Sequence, residues 1–193
     1  MTDLDAAAAA IRDGDLVVYP TETVYGLGAD ALDPNAVERV FAAKGRDRDD
    51  PISLAVPDLE TALEYVHVSE RERRFVDRFL PGPVTVVCER RDPVPDVLTA
   101  GLDRVGVRIP DHDLALALLD RAAPITATSA NLTGRPSVTR IDDLDPEIRE
   151  AAAVVLDGGE TGGTASTVVD VERGEIHRRG TIADEIEAWL DSA

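Results

Sequence analysis

Three polar segments of this chain follow directly on apolar runs, and each carries residue types able to hold a small charged ligand. PTETVYGLG (20–28) places the hydroxyls of Thr21 and Thr23 on either side of Glu22, then sets glycines at 26 and 28. Hydroxyls both donate and accept, and glycine permits close backbone approach. Ala43-Lys44-Gly45-Arg46 ends a helical stretch with a mobile point charge and a planar fork suited to phosphate or carboxylate. Residues 126–137 gather hydroxyls, the amide of Asn131 and the guanidinium of Arg135 after a strand, a set suited to a polyoxygenated ligand.

Each segment also has a plainer reading. The first is a strand end with a tight turn, and it is neither GxxxxGK[ST] nor GxGxxG. The second is C-terminal helix capping by cations, worth at most about 1 kcal/mol. The third is a Ser/Thr/Asn turn bonded to its own backbone. Composition weighs against simple capping. Of the 20 cationic residues only Lys44 is lysine, and arginine would cap a helix equally well.

Strands are read over 16–19, 52–56, 84–88, 105–109, 125–128, 154–156, 167–171 and 175–178. Helices are read over 35–43, 70–80, 114–122 and 146–152, with a helical stretch from Asp58. Asp33-Pro34 opens the first of these helices, Ser69 caps the second, Pro81-Gly82-Pro83 stops it, and Thr181 caps a last helix to 190. Trp189 anchors that last helix by packing. Strands interleaved with helices give an α/β domain, and the hairpin-like pair at 167–178 makes the sheet mixed. In such sheets ligands sit where loops follow strands, which is where all three polar segments lie.

The 193 residues, 44% apolar and only 4% aromatic, form one aliphatic-cored domain, 1–193. No run reaches a membrane span and the acidic N-terminus is not a secretory signal, so a cytoplasmic setting is expected. Cys88 is a core thiol. A net charge of −18, with arginine in place of lysine, points to a halophile. At molar salt screening acts within about 3 Å, so the acidity describes the habitat rather than the ligand. His67, His112 and His177 are too dispersed for a metal site and are read as surface or structural. Asp142, Asp143 and Asp145 read as acidic surface, and GGETGGT (158–164) as a flexible connection.

Taken together, PTETVYGLGADAL, Lys44-Gly45-Arg46 followed by Pro51-Ile52, VRIP (107–110), SANLTGRPS (129–137) and the closing LDGG, STVVD and IHRRG resemble the YrdC-type L-threonylcarbamoyladenylate synthases. The resemblance runs from about residue 13 to 182 and implies a short, single-domain form. It implies a YrdC-like twisted mixed sheet with flanking helices and a deep, positively lined concave cavity. It also implies a reaction in which L-threonine, bicarbonate and ATP give threonylcarbamoyl-AMP and pyrophosphate. The product passes to a separate transferase complex that modifies tRNA.

By the same resemblance, Lys44 and Arg46 are catalytic and hold the ATP phosphates. Thr23, Arg108 and Ser166 contact threonine, and Ser129, Asn131, Ser137 and Arg178 contact ATP. Mg²⁺ arrives on the phosphates, with no protein metal site. Nucleotidyl transfer needs positioning and charge neutralisation rather than a protein nucleophile.

Three positions depart from the pattern. Ala55 stands where relatives have histidine, Arg104 where they often have a hydroxyl, and Arg178-Arg179-Gly180 replaces RPG. The rival from another class is an RNA-binding module. The charge and the few aromatics weigh against it, because phosphate gripping weakens steeply with salt and no stacking platform is visible. A hydrogenase-maturation carbamoyl domain would bring zinc-finger-like neighbours that a chain with one cysteine cannot build.

Overall fold

Leu16, Val17, Val18 and Tyr19 are all buried in the computed structural model, which describes residues 3–192. They form β1 (Leu16–Tyr19), preceded by α1 (Asp3–Arg12). Leu16 and Val18 belong to one core cluster and Val17 and Tyr19 to another, as the two-residue period of a strand requires. A strand covered on both faces has no polar side, which explains the uninterrupted LVVY.

The chain continues through β2 (Gly26–Gly28), α2 (Pro34–Lys44), β3 (Ser53–Ala55), α3 (Leu59–Ala62), β4 (Val66–His67), α4 (Glu70–Phe79) and β5 (Val84–Arg90). Then follow α5 (Asp96–Thr99), β6 (Arg104–Arg108), α6 (Asp113–Ala122), β7 (Ile125–Ser129), α7 (Pro146–Ala151) and β8 (Ala152–Val155). β9 (Thr167–Asp170), β10 (Glu175–Arg178) and α8 (Ala183–Ser192) complete it. The ten strands form one mixed sheet in the order β10-β9-β5-β6-β3-β7-β2-β1-β8, with β4 paired to β5. β1–β8, β3–β6 and β5–β9 run parallel and the remaining pairs antiparallel.

Helix ends follow local chemistry. Asp33 accepts from the Asn35 amide at 2.9 Å with Pro34 in the first turn, and Gly45 closes α2 at φ 58°. Ser69 and Glu72 cap α4 reciprocally, at 3.1 and 2.8 Å. Trp189 of α8 packs edge-on against Phe75 of α4, with ring centroids 5.2 Å apart. α8 begins at Ala183, so Thr181 stands one residue outside the capping position.

Helices cover the two faces of the sheet unequally. On one face Val84, Val86, Cys88, Val105, Val107 and Val169 join a large cluster with Phe75 and Ile186. On the other, the second cluster packs residues of α1 and α6 over Val17, Tyr19 and Ile125 at one end. The alternate residues Thr85, Val87, Arg104, Gly106, Arg108, Val168 and Asp170 are left to line a cavity. Uneven coverage of an α/β sheet therefore creates the concavity.

Candidate active site

The cavity measures about 660 Å³, and its wall carries five arginines, Arg46, Arg104, Arg108, Arg173 and Arg178, against the carboxylates of Asp103 and Asp170. The chain as a whole carries a net charge of −18, so this balance is inverted locally and favours an anionic ligand. The Arg178 guanidinium is held below its usual range first by desolvation and then by the charges of Arg108 and Arg46. Three cations from β6, β10 and the end of α2 thus share one field.

Strand geometry places most of the expected residues together. Thr23, Arg46, Arg108, Ser129, Ser137, Ser166 and Arg178 all line the cavity. Arg178 donates from Nε to the Ser166 carbonyl at 3.0 Å and from Nη2 to the Ser166 hydroxyl at 2.8 Å. Ser166 in turn lies 3.2 Å from the Thr85 hydroxyl. Arg108, only 7% exposed, donates from Nη2 to Thr23 at 2.8 Å and to Glu22 at 3.0 Å. Arg46 ties down the loop that follows it through the carbonyls of Asp50 and Pro51, at 3.1 and 3.0 Å.

Lys44 and Asn131 stand behind the wall. Lys44 is 3% exposed and donates to the Ser129 carbonyl and, at 2.7 Å, to that of Asn131. Its ammonium is pushed down to about 8, chiefly by burial and then by Arg46, with Asp145 opposing. The Asn131 amide donates to the Leu132 and Arg135 carbonyls at 2.9 and 2.7 Å. Both residues shape the loop that presents Ser129. Arg135, the charge expected in that cluster, pairs with Asp145 instead.

The glycines of PTETVYGLG have a packing reason. Tyr19 pairs with Gly26 and Val17 with Gly28 across β1 and β2, which sets both glycines under the Tyr19 ring. A Cβ on Gly26 would lie 2.8 Å from Tyr19 Cζ, and one on Gly28 would lie 3.1 Å from Cε1. Tyr19 lines the cavity, and its hydroxyl, which donates to the Thr126 carbonyl at 3.4 Å, is raised to about 12 by burial, with Arg108 opposing and Glu22 reinforcing. GGETGGT is likewise fitted rather than loose. The Gly163 amide donates to the Thr23 carbonyl at 2.6 Å, and the Tyr25 hydroxyl bridges the amide of Gly158 and the carbonyl of Gly159 at 3.0 and 2.7 Å.

The departures also find places. Ala55 is fully buried among Tyr19 and Ile125, away from the wall, while its neighbour Ser53 faces the cavity. Arg104 reaches the Val87 carbonyl at 2.7 Å and Asp170 at 3.1 Å. His177, read as surface or structural, stands exposed on the cavity wall. Among the described residues no group of three or more His, Cys, Asp or Glu could hold a metal ion, and Cys88 is buried and free. No described helix is long and apolar enough to cross a membrane.

The Sua5/YciO/YrdC family model, described as "Telomere recombination", matches residues 9–180. The chain belongs to this family. A threonylcarbamoyl-AMP synthase of Pyrococcus abyssi is 46% identical over 169 residues, covering 86% of this chain and 49% of that protein. One of Bacillus subtilis is 40% identical over 167 residues, covering 84% and 48%. The crystal structure of P. abyssi Sua5 complexed with L-threonine aligns with a TM-score of 0.84 at 42% identity, covering 93% of this chain and 55% of that one. The chain spans about half the length of these curated relatives. Family membership accounts for the shared sheet and for the order of the motifs. The residues that sequence reasoning passed over, Tyr19, Ser53, Thr85, Gly106 and Asp170, are wall positions on five different strands already recognised, each on the face its strand turns away from the larger core cluster, so strand period was the signal that could have found them.

Proposed function

We propose that this chain makes L-threonylcarbamoyladenylate and pyrophosphate from L-threonine, bicarbonate and ATP. The observation that carries the reading is the convergence of Arg46, Arg108 and Arg178 with the hydroxyls of Thr23, Ser129, Ser137 and Ser166 on one cavity. That set positions and neutralises anions. The relatives named threonylcarbamoyl-AMP synthase and the Sua5 complex with L-threonine support it.

In this mechanism the threonine amine and bicarbonate first give a carbamate with loss of water. A carbamate oxygen then attacks the α-phosphorus of ATP, forming the new P–O bond as the bond to the β-phosphate breaks and pyrophosphate leaves. Arg108 and Thr23 hold the amino acid, with Ser166 beside them. Arg46 and Arg178 hold the phosphates together with Ser129 and Ser137, supplying charge where it develops in the transition state. Lys44 and Asn131 act through the backbone that carries Ser129. Magnesium enters with the triphosphate as part of the substrate. Asp170, the buried carboxylate on the wall, is spent on Arg104 and Arg173 and offers the ion no cage.

The product is a mixed anhydride, so a transferase must take up its threonylcarbamoyl group, and we assign that step to a tRNA-modifying complex with at most weak RNA contact by this chain. ATP and bicarbonate are cytoplasmic solutes, which suits the acidic, single-cysteine composition. The test is pyrophosphate release from ATP in molar KCl with magnesium, omitting threonine and bicarbonate in turn. Release that requires both is expected. Release with neither would replace this reading with a plain ATP hydrolysis.

A further inference from the structure

Strand β3 runs between β6, which carries Arg108, and β7, which carries Ser129. Ser53 of β3 pairs with Ala127 on the β7 side. On the β6 side Leu54 stands level with Val107, which sets Ser53 beside Gly106. Arg108 lies two residues beyond Gly106 and Ser129 two beyond Ala127, each a step of about 7 Å along its strand. The two steps point in opposite directions, because β3 is parallel to β6 and antiparallel to β7. Ser53 therefore marks the middle of the diagonal from Arg108 to Ser129.

The cavity floor is shaped around this side chain. Gly106 and Ala127, its neighbours across the sheet, line the cavity without a polar side-chain atom. A Cβ on Gly106 would collide with the Ser53 hydroxyl and would lie 2.8 Å from Thr85 Cγ2. Glycine at 106 is thus what lets the hydroxyl lie over β6, on the cavity face. The hydroxyls of Thr23 and Ser166 are already engaged by Arg108 and Arg178, at 2.8 Å each. Ser53 differs. It is half-buried on the wall, and among the described residues its hydroxyl takes no protein partner while remaining open to the cavity.

The proposed reaction needs a third anchor on that diagonal. With the threonine carboxylate on Arg108 and the phosphates beside Ser129, the carbon supplied by bicarbonate must sit between them, bonded to the amine and facing the α-phosphorus. We propose that Ser53 is the bicarbonate-binding residue, its hydroxyl donating to one oxygen of bicarbonate and then of the carbamate. The amine nitrogen bonds to the carbon as a C–O bond breaks, and that oxygen leaves as water with a proton from the amine. The oxygen held by Ser53 stays on the floor, and the other carboxylate oxygen is left to attack phosphorus. A neutral donor suits the task, because it holds the carboxylate without tying up the charge that oxygen needs as a nucleophile. The inference rests on the synthase reading above and adds to it the residue that takes the third substrate.

The test measures pyrophosphate release against added bicarbonate in buffer stripped of carbon dioxide, at saturating threonine and ATP, for wild type, Ser53→Ala and Ser53→Thr. Titration calorimetry with L-threonine and with a non-hydrolysable ATP analogue accompanies it. Ser53→Ala removes one exposed hydroxyl and should fold as wild type does, which thermal unfolding checks. Its KM for bicarbonate is expected to rise about 10-fold or more, while both calorimetric affinities stay unchanged. Ser53→Thr keeps the hydroxyl and should recover part of the loss. An unchanged bicarbonate KM in Ser53→Ala would overturn the proposal. So would a loss of affinity for threonine or the nucleotide as large as that for bicarbonate, since the hydroxyl would then serve another ligand. If release by wild type needed no bicarbonate at all, the functional reading above would fall first, and this inference with it.

Discussion

The Lys44 ammonium donates to the Asn131 carbonyl at 2.7 Å while the Lys44 carbonyl accepts from the Thr133 amide at 2.8 Å. The end of α2 and the loop after β7 are therefore locked together in both directions. Lys44→Ala strips donors from two carbonyls, those of Ser129 and Asn131, and frees the loop that presents Ser129. We expect a stability loss of about 1–3 kcal/mol and a fall in pyrophosphate release of about 10²-fold. Thermal unfolding and the release assay check the two together. Wild-type turnover in a destabilised variant would separate the loop from catalysis.

The same lysine makes stability depend on pH. In the unfolded chain the amine keeps its proton up to its ordinary value of 10.5, whereas in the fold it releases it at about 8. Between these values the unfolded state binds more protons, so stability rises with pH across that window. Lys44→Met has no amine and lacks the increment. Denaturant unfolding of both proteins at about pH 7 and about pH 10 should show wild type gaining on the variant. A constant difference would contradict the burial of this ammonium.

Gly26 and Tyr19 form a second fixed pair. A methyl group at 26 would lie 2.8 Å from Tyr19 Cζ and 2.9 Å from Cε1, on a ring that is 1% exposed. Gly26→Ala should cost about 1–3 kcal/mol, as overpacking does. Adding Tyr19→Leu should make the double variant less unstable than the two single effects summed. Additive losses would mean that the glycine is needed for some reason other than the ring.

Much of this architecture was legible in the chain. Asp33-Pro34, Ser69 with Glu72 and Gly45 mark helix ends by local chemistry, and their geometry follows. β2 was not read as a strand, because Gly-Leu-Gly has only the Leu27 side chain to pack and little strand propensity. Its pairing is decided by Tyr19 on the neighbouring strand, a contact between strands that no local pattern contains. α1 was passed over because its alanines signal helix without an obvious partner face, which α6 provides 110 residues later. At the site, residue type showed which groups suit phosphate or carboxylate. Whether a side chain faces the cavity or the loop behind it depends on tertiary placement, and this is why Lys44 and Arg46 part company two residues apart.

Arg104 shows how a departure from family pattern is accommodated. It is the closer of the two ion-pair partners of Asp170, at 3.1 Å, beside the Arg173 amide that donates to the same carboxylate at 3.0 Å, and Asp170 has no exposed surface. Arg173, the other ion-pair partner, sits at 3.7 Å and is largely in solvent. Arg104→Ser should therefore destabilise by about 3 kcal/mol through an under-compensated buried carboxylate. Asp170→Asn in the same chain should recover part of that loss. A neutral Arg104→Ser would show that Arg173 suffices.

Arg108 requires a more careful substitution than alanine. Arg108→Ala would leave Glu22 facing an empty position, and a buried carboxylate that loses its partner costs about 3–5 kcal/mol. Loss of activity would then report unfolding as readily as loss of substrate. Arg108→Lys keeps the charge beside Glu22 and Thr23 but gives up the planar fork, so it isolates recognition of the carboxylate. KM for threonine should rise about 10-fold or more while kcat and the KM for ATP change little, because the proposed function assigns the phosphates to Arg46 and Arg178. The double variant Arg108→Ala with Glu22→Gln removes the pair without stranding a charge. It should fold, retain nucleotide affinity and fail to bind threonine. Unchanged threonine KM in Arg108→Lys together with threonine binding in the double variant would move amino-acid recognition away from β6 altogether.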